Sequence, residues 1–169
     1  AKTNAGGMRA VRYGVTRDYV LGMQVALPSG ELLDLGGKAV KTSSGYSLLS
    51  LLVGSEGTLG VVTRLILKLL PMPRANVSVL APFDDLDACV RAVPQVLACG
   101  AEPTAVEFME REVIACAETY LGKRFPDTSA DAYLLVRLDG PSAKALEASC
   151  GQLAQTLLDL GARDALLAD

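Results

Sequence analysis

The chain has 169 residues, 50% of them hydrophobic, and a net charge of -3 from 16 basic and 19 acidic side chains. That is apolar material for one good core or two small ones, and with acidic and basic residues scattered rather than gathered into a basic stripe, nucleic acid is disfavoured as a partner. Histidine is absent, which excludes Ser-His and Cys-His nucleophilic pairs and any His-ligated metal site within this sequence.

No apolar run approaches the ~20 residues that cross a bilayer, and residues 1–7 lack a charged segment followed by an apolar one, so the expectation is a cytoplasmic protein without a transmembrane segment. In chain order, residues 19–27 place Leu21, Met23, Val25 and Leu27 on one face, the period-2 pattern of a half-buried strand. Pro28-Ser29-Gly30 makes a turn, and residues 31–35 return as the hairpin partner. A loop over residues 36–45 leads to about two helical turns at 47–53. Three glycines within Gly54-Ser55-Glu56-Gly57-Thr58-Leu59-Gly60 are too many for a helix or strand interior, so a tight loop precedes the apolar strand 61–70.

Pro71 and Pro73 close that strand, and Met72-Pro73-Arg74 reads as a linker. Strands at 76–81, 104–108 and 132–138 then alternate with helices at 84–99, 110–121 and 142–160. Asp84 is the expected N-cap of the first of these helices and Gly100 its C-cap, with Pro94 inside it. Leu146, Cys150, Leu153, Leu157 and Leu160 form one apolar seam along the last helix. Residues 163–168 begin a further strand, and with the opening on Asn4-Ala5-Gly6-Gly7 this reads as a fragment of a longer protein. Cys89, Cys99, Cys116 and Cys150 have neither CxxC nor zinc-ligand spacing, so free structural thiols are expected.

Three motifs carry chemistry. In Thr3-Asn4-Ala5-Gly6-Gly7 two adjacent glycines let a backbone approach a flat or anionic ligand and aim N–H groups at it; a simple turn capped by Asn4 explains the same residues. The loop from Gly54 to Gly60, running into Val61 and Val62, offers unpaired groups at the start of a strand. It has no P-loop lysine and precedes a strand rather than a helix, which disfavours a nucleotide hydrolase or a nicotinamide site. In Arg12-Tyr13-Gly14 the tyrosine serves either a cofactor contact or half-buried packing.

The order of seven segments carries a resemblance. Asn4-Ala5-Gly6-Gly7, Arg12-Tyr13-Gly14, Val20-Leu21-Gly22, Leu27-Pro28-Ser29-Gly30, Lys41 through Gly45-Tyr46, Gly54 through Gly60 and Lys68-Leu69 together resemble the FAD-linked oxidase family of glycolate oxidase flavin subunits, D-lactate dehydrogenases and D-2-hydroxyglutarate dehydrogenases. Ala105-Val106-Glu107-Phe108-Met109 is similar to the start of that family's substrate domain.

The resemblance implies an α+β protein. Residues 1–72 would be the C-terminal half of a vanillyl-alcohol-oxidase-type (PCMH-type) FAD-binding domain, and 73–169 the start of a ferredoxin-like α+β substrate, or cap, domain. FAD is the implied cofactor. By position, Asn4, Ala5, Gly6 and Gly7 would line its pyrophosphate and flavin region, with Tyr13 and Gly14 nearby. Gly54, Glu56, Gly57, Gly60, Val61 and Val62 would hold pyrophosphate and adenosine through their backbone. The implied reaction is hydride transfer from a D-2-hydroxy acid such as glycolate, D-lactate or D-2-hydroxyglutarate to flavin N5, with an electron acceptor, and a homodimer or partner oxidase subunits, as further partners. The family's first pyrophosphate loop and its catalytic and metal-binding residues find no match here, so no catalytic residue and no metal ligand is assigned. A folded α+β fragment that binds no flavin by itself stays open as the alternative.

Overall fold

The computed structural model describes residues 1–39, 41 and 43–168, and the chain divides into two compact units, Ala1–Pro71 and Met72–Asp169. In the first, a short helix α1 (Ala10–Tyr13) and a 3-10 turn (Thr16–Tyr19) lead into β1 (Val20–Ala26), β2 (Leu32–Gly36), α2 (Leu48–Leu52) and β3 (Val61–Leu67). The strands form an antiparallel sheet in the order β2-β1-β3. The hairpin closes where Leu27 N donates to Glu31 O (2.8 Å) and Gly30 N to Leu27 O (2.9 Å), with Gly30 at a φ of +86° that suits glycine. Ser47 caps α2 by accepting from Ser50 N at 3.2 Å.

Met23 and Val25 are buried as the alternation requires, but Val20 is buried as well, while Leu21 and Leu27 are only half-buried. The cause is an irregular ladder: the register of β1 on β3 shifts between Val20 and Gly22 and again between Gln24 and Val25, and each shift turns the strand's faces. With Leu52 and Val53 these residues complete a small core. Strand β3 stops at Leu67 rather than residue 70, because Leu67 already pairs with Val20, the first residue of β1; Lys68 N then bonds Tyr19 O at 2.8 Å. Of the expected loop 36–45, Val40 and Thr42 lie outside the described residues.

The second unit runs β4 (Ala75–Phe83), α3 (Leu86–Ala98), β5 (Ala105–Glu110), α4 (Arg111–Leu121), β6 (Ala132–Gly140), α5 (Ala143–Asp159) and β7 (Leu166–Ala168). Its sheet has the order β5-β6-β4-β7, antiparallel at every pairing. Strand β6 inserts between β4 and β5, giving the split β-α-β topology of ferredoxin-like folds, with α4 added between β5 and β6. One sheet face, carrying Val79, Ala81, Phe83, Leu134 and Val136, packs on α3 and α5. On α5 the seam of Leu146, Leu153 and Leu157 is buried, with Cys150 and Leu160 partly so. The opposite face carries Leu80 and Tyr133 beneath Ile114 of α4.

The N-cap of α3 is Asp85, not Asp84: its carboxylate accepts from Ala88 N at 2.7 Å, whereas Asp84 is taken by Arg163 Nε at 2.6 Å. Gly100, at φ +87°, follows α3 as the capping glycine should. Strand β4 continues through Pro82, whose carbonyl accepts from Arg163 N at 2.8 Å beyond the last β7 pairing, so its missing N–H interrupts no ladder bond. Among the described residues no helix is long and apolar enough to cross a membrane.

All four cysteines are free. Burial, with a smaller contribution from Asp85, pushes the Cys89 thiol up to about 11, so little of the reactive thiolate forms there at neutral pH. Thiol titration of the native protein is expected to modify exposed Cys116 first and Cys89 last, with four thiols counted after unfolding without reductant. A native disulfide, or Cys89 reacting as fast as Cys116, would contradict this packing.

Candidate functional site

The first two motifs, far apart in sequence, are stitched together in the first unit. Gly54 N donates to Ala1 O at 3.1 Å and Glu56 N to Lys2 O at 2.8 Å. Asn4 Oδ1 accepts from Arg17 N at 2.8 Å, and Arg17 Nη2 donates to Val53 O at 3.0 Å. A Cβ on Gly54 would lie 3.3 Å from that of Asn4, so the loops are in van der Waals contact. Ala5 O accepts from both the backbone N (3.1 Å) and the hydroxyl (2.8 Å) of Thr16, which fixes the next residue of the first loop.

Backbone strain concentrates here. Asn4 and Glu56 adopt left-handed φ values of +46° and +52°, and Glu102 is the other non-glycine residue of this kind among those described. Such conformations cost of order 1 kcal/mol and persist where surrounding contacts impose them. Asn4 is suited to the region and is held by Arg17; Glu56 is not, and its N–H bond to Lys2 keeps it there. Gly57 follows at φ +84°.

What the loops offer to a ligand is backbone. Among the described residues, no protein acceptor meets the N–H of Gly6, Gly7 or Gly57. Ala5, Gly6, Gly7, Gly54, Glu56 and Gly57 are exposed, and a Cβ built on Gly7 or Gly57 meets nothing within 4 Å. Gly7 lacks a positive φ, so neither backbone conformation nor crowding by protein requires a glycine there. Open N–H groups beside a surface clear of side chains fit a dinucleotide, whose pyrophosphate takes several donors at once.

The other expected residues have different surroundings. Gly14, at φ +77°, leaves no room for a side chain because Asp18 Oδ2 occupies the space as it accepts from Val15 N at 2.7 Å. Tyr13 is half-buried, its carbonyl accepting from Tyr19 Oη at 2.6 Å and its ring 6.0 Å from the Arg12 guanidinium. Gly60 is buried against Val25 and Ala26, and Val61 and Val62 pair with Ala26 and Val25 of β1. Described contacts therefore tie residues 60–62 to β1, while among the described residues no further strand pairs with the outer edge of β3, the last strand of its sheet. Arg17 and Thr16 escaped the sequence reading. Asp18, three residues after Val15, is half of a capping-box pattern and was the available signal for an ordered turn there.

Among the described residues no group of three or more Cys, Asp or Glu side chains is placed to hold a metal ion. Comparison with known proteins places the chain. The family model described as FAD linked oxidases, C-terminal domain, matches residues 72–169. A D-lactate dehydrogenase of Anaerostipes hadrus is 49% identical over 172 residues, covering 99% of this chain and 36% of that protein. The glycolate oxidase subunit GlcD of Bacillus subtilis is 44% identical, covering 82% and 29%, and that of Escherichia coli K12 is 39% identical, covering 98% and 32%. The chain thus spans about a third of the length of the curated relatives it matches. Among solved structures, an alkyldihydroxyacetonephosphate synthase superposes with a TM-score of 0.77 at 20% identity over 99% of this chain and 33% of that one, a likeness of fold.

Proposed function

We propose, since the chain belongs to the FAD-linked oxidase family, that its first unit supplies one wall of the FAD site of an oxidoreductase acting on D-2-hydroxy acids such as D-lactate or glycolate. The observation that carries this reading is the pair of stitched loops with the open N–H groups of Gly6, Gly7 and Gly57. When bound, FAD accepts a hydride from the substrate carbon that bears the hydroxyl.

The chain's own residues bind and position. Gly6, Gly7 and Gly57 would hold the FAD pyrophosphate through their N–H groups, and preorganised backbone donors lose little entropy in binding. Asn4 and Arg17 hold the two loops at fixed separation. Gly60, Val61 and Val62 set the height of the second loop on β1 and would hold the adenosine along the β3 edge. Tyr13 and Gly14 brace the first loop through the 3-10 turn. With no histidine in the chain, a histidine that takes the hydroxyl proton would have to come from outside it. Relatives three times as long, named for D-lactate and glycolate, support the substrate class.

Purified alone, the chain is expected to carry well under one FAD per molecule and to leave a redox dye unreduced with D-lactate or glycolate. A protein of the relatives' full length that carries this segment should retain FAD and reduce the dye. A full-length protein that folds yet shows no flavin absorbance would overturn the proposal.

A further inference from the structure

In the second unit, the end of α4 and the chain that leaves it enclose a cavity of about 490 Å³ that the flavin reading does not use. Gly122, at φ +63°, donates its N–H to Glu118 O at 3.0 Å and turns the chain out of the helix. Phe125 N then donates to Glu118 Oε1 at 2.9 Å, with its ring 5.2 Å from that of Tyr133. Asp127 N donates to Tyr133 Oη at 2.8 Å, while the Asp127 carboxylate is taken by Arg163 and Ser129. The backbone that carries Lys123, Arg124 and Thr128 is thereby fixed at residues 122, 125 and 127.

Charge in this cavity is out of balance. Arg111, Lys123 and Arg124 line it against one carboxylate, Glu118, whose oxygens are both engaged: Oε2 by Arg111 Nη2 at 3.0 Å and Oε1 by Phe125 N. The Phe125 bond above all, then Arg111 and the charge of Arg124, hold the Glu118 carboxyl below the usual carboxylate range, so it stays ionised and committed. Among the described residues Lys123 and Arg124 pair with no carboxylate, and Thr128 Oγ1, also on the lining, has no partner. Arg111 Nη1 is buried without an acceptor, which leaves the guanidinium short of an oxygen. The negative end of α4 amounts to about half an elementary charge, so two full cations beyond it leave a surplus.

We propose that this cavity binds a phosphate group, held by Lys123, Arg124 and the Thr128 hydroxyl, with the Arg111 guanidinium adding charge from α4. The lining offers donors in excess and no uncommitted carboxylate, so its ligand is an anion. A carboxylate has two oxygens in one plane, whereas donors from α4 and from both sides of Phe125 surround a ligand and suit the tetrahedral oxygens of a phosphate. The site is separate from the flavin surface, which belongs to the first unit, and stands whether or not that surface is correctly assigned.

The test uses the chain as it is, titrated with inorganic phosphate at constant ionic strength and followed by amide NMR. Signals of Gly122, Lys123, Arg124 and Thr128, with the Nε signal of Arg111, should shift together and saturate at one phosphate per chain. Lys123→Gln and Arg124→Gln should each weaken binding by about two- to five-fold, and the double variant should abolish saturation. Neither side chain has a partner among the described residues, so the rest of the spectrum should be unchanged. Lys144→Gln, on α5 and outside the cavity, should leave binding as it was. Shifts that spread over the surface without saturating, equal weakening by Lys144→Gln, or saturation by malonate but not by phosphate would overturn the proposal. Flotation with phosphatidic acid vesicles, lost in the double variant, would support it with a lipid headgroup as the source of the phosphate. Saturable phosphate binding without flotation would support it with a soluble phosphate.

Discussion

Replacing Gly60 with valine is expected to remove the cooperative unfolding transition of the first unit. A Cβ there would lie 2.6 Å from Val25 Cγ1 and 2.9 Å from Ala26 O. Neither neighbour can yield: Val25 is fully buried at the centre of the core, and Ala26 pairs with Val61 in the ladder of β1 with β3. Overpacking at such a site typically costs about 1–3 kcal/mol, and more where the neighbours cannot move. Among the described residues the core it strikes has five buried hydrophobics, Val20, Met23, Val25, Leu52 and Val53, and a unit of this size has about 3–10 kcal/mol to lose. Gly60→Ala should shift the urea midpoint markedly and Gly60→Val should leave the unit protease-sensitive without denaturant. A valine variant with the parent's midpoint would show that the β1 to β3 packing is wrong.

Replacing Gly7 with valine is expected to leave stability intact and to weaken FAD retention by at least ~10-fold in a full-length protein. The two effects separate because Gly7 has no positive φ and its Cβ would meet only open space, so the protein itself gives no reason for glycine. A branched side chain there would occupy the surface proposed for the pyrophosphate and shield its donors; losing about 1.4 kcal/mol of binding is already tenfold. Gly57→Ala makes the contrast. At φ +84° an alanine costs about 1–2 kcal/mol in strain, so both thermal midpoint and flavin content should fall. Flavin content and melting temperature measured on the same preparations distinguish the cases. If Gly7→Val kept full flavin, the first loop would be a simple turn.

The residues that define the candidate site are legible singly in the sequence, and their assembly is not. Glycine clustering marks both loops, but the bonds from Gly54 to Ala1 and Glu56 to Lys2 span some fifty residues without any periodic signal. Nor does composition reveal that Arg17 bridges Asn4 and Val53, since an exposed arginine before an aspartate reads as ordinary surface. Strand β1 was recognisable from alternation, yet its burial departs from strict period 2 because the register shifts depend on β3, forty residues away. In the second unit, capping and seam residues locate α3 and α5 to within two residues. Alternating strands and helices do not state the sheet order, however, and the insertion of β6 between β4 and β5 follows from the family resemblance rather than from any local pattern. Where two carboxylates stood side by side, the choice of Asp85 over Asp84 as N-cap was decided by Arg163, seventy-nine residues from Asp84.

The central claim is that the two stitched loops together form an FAD-binding surface. Amide hydrogen exchange of a full-length protein carrying this segment, compared with FAD bound and after its removal, tests it most directly. The account predicts that FAD slows exchange at Gly6, Gly7 and Gly57, whose N–H groups meet no acceptor among the described residues of this chain, and leaves the β4 to β6 ladder unchanged. Unaltered exchange at all three glycines, with new protection confined to other segments, would contradict it.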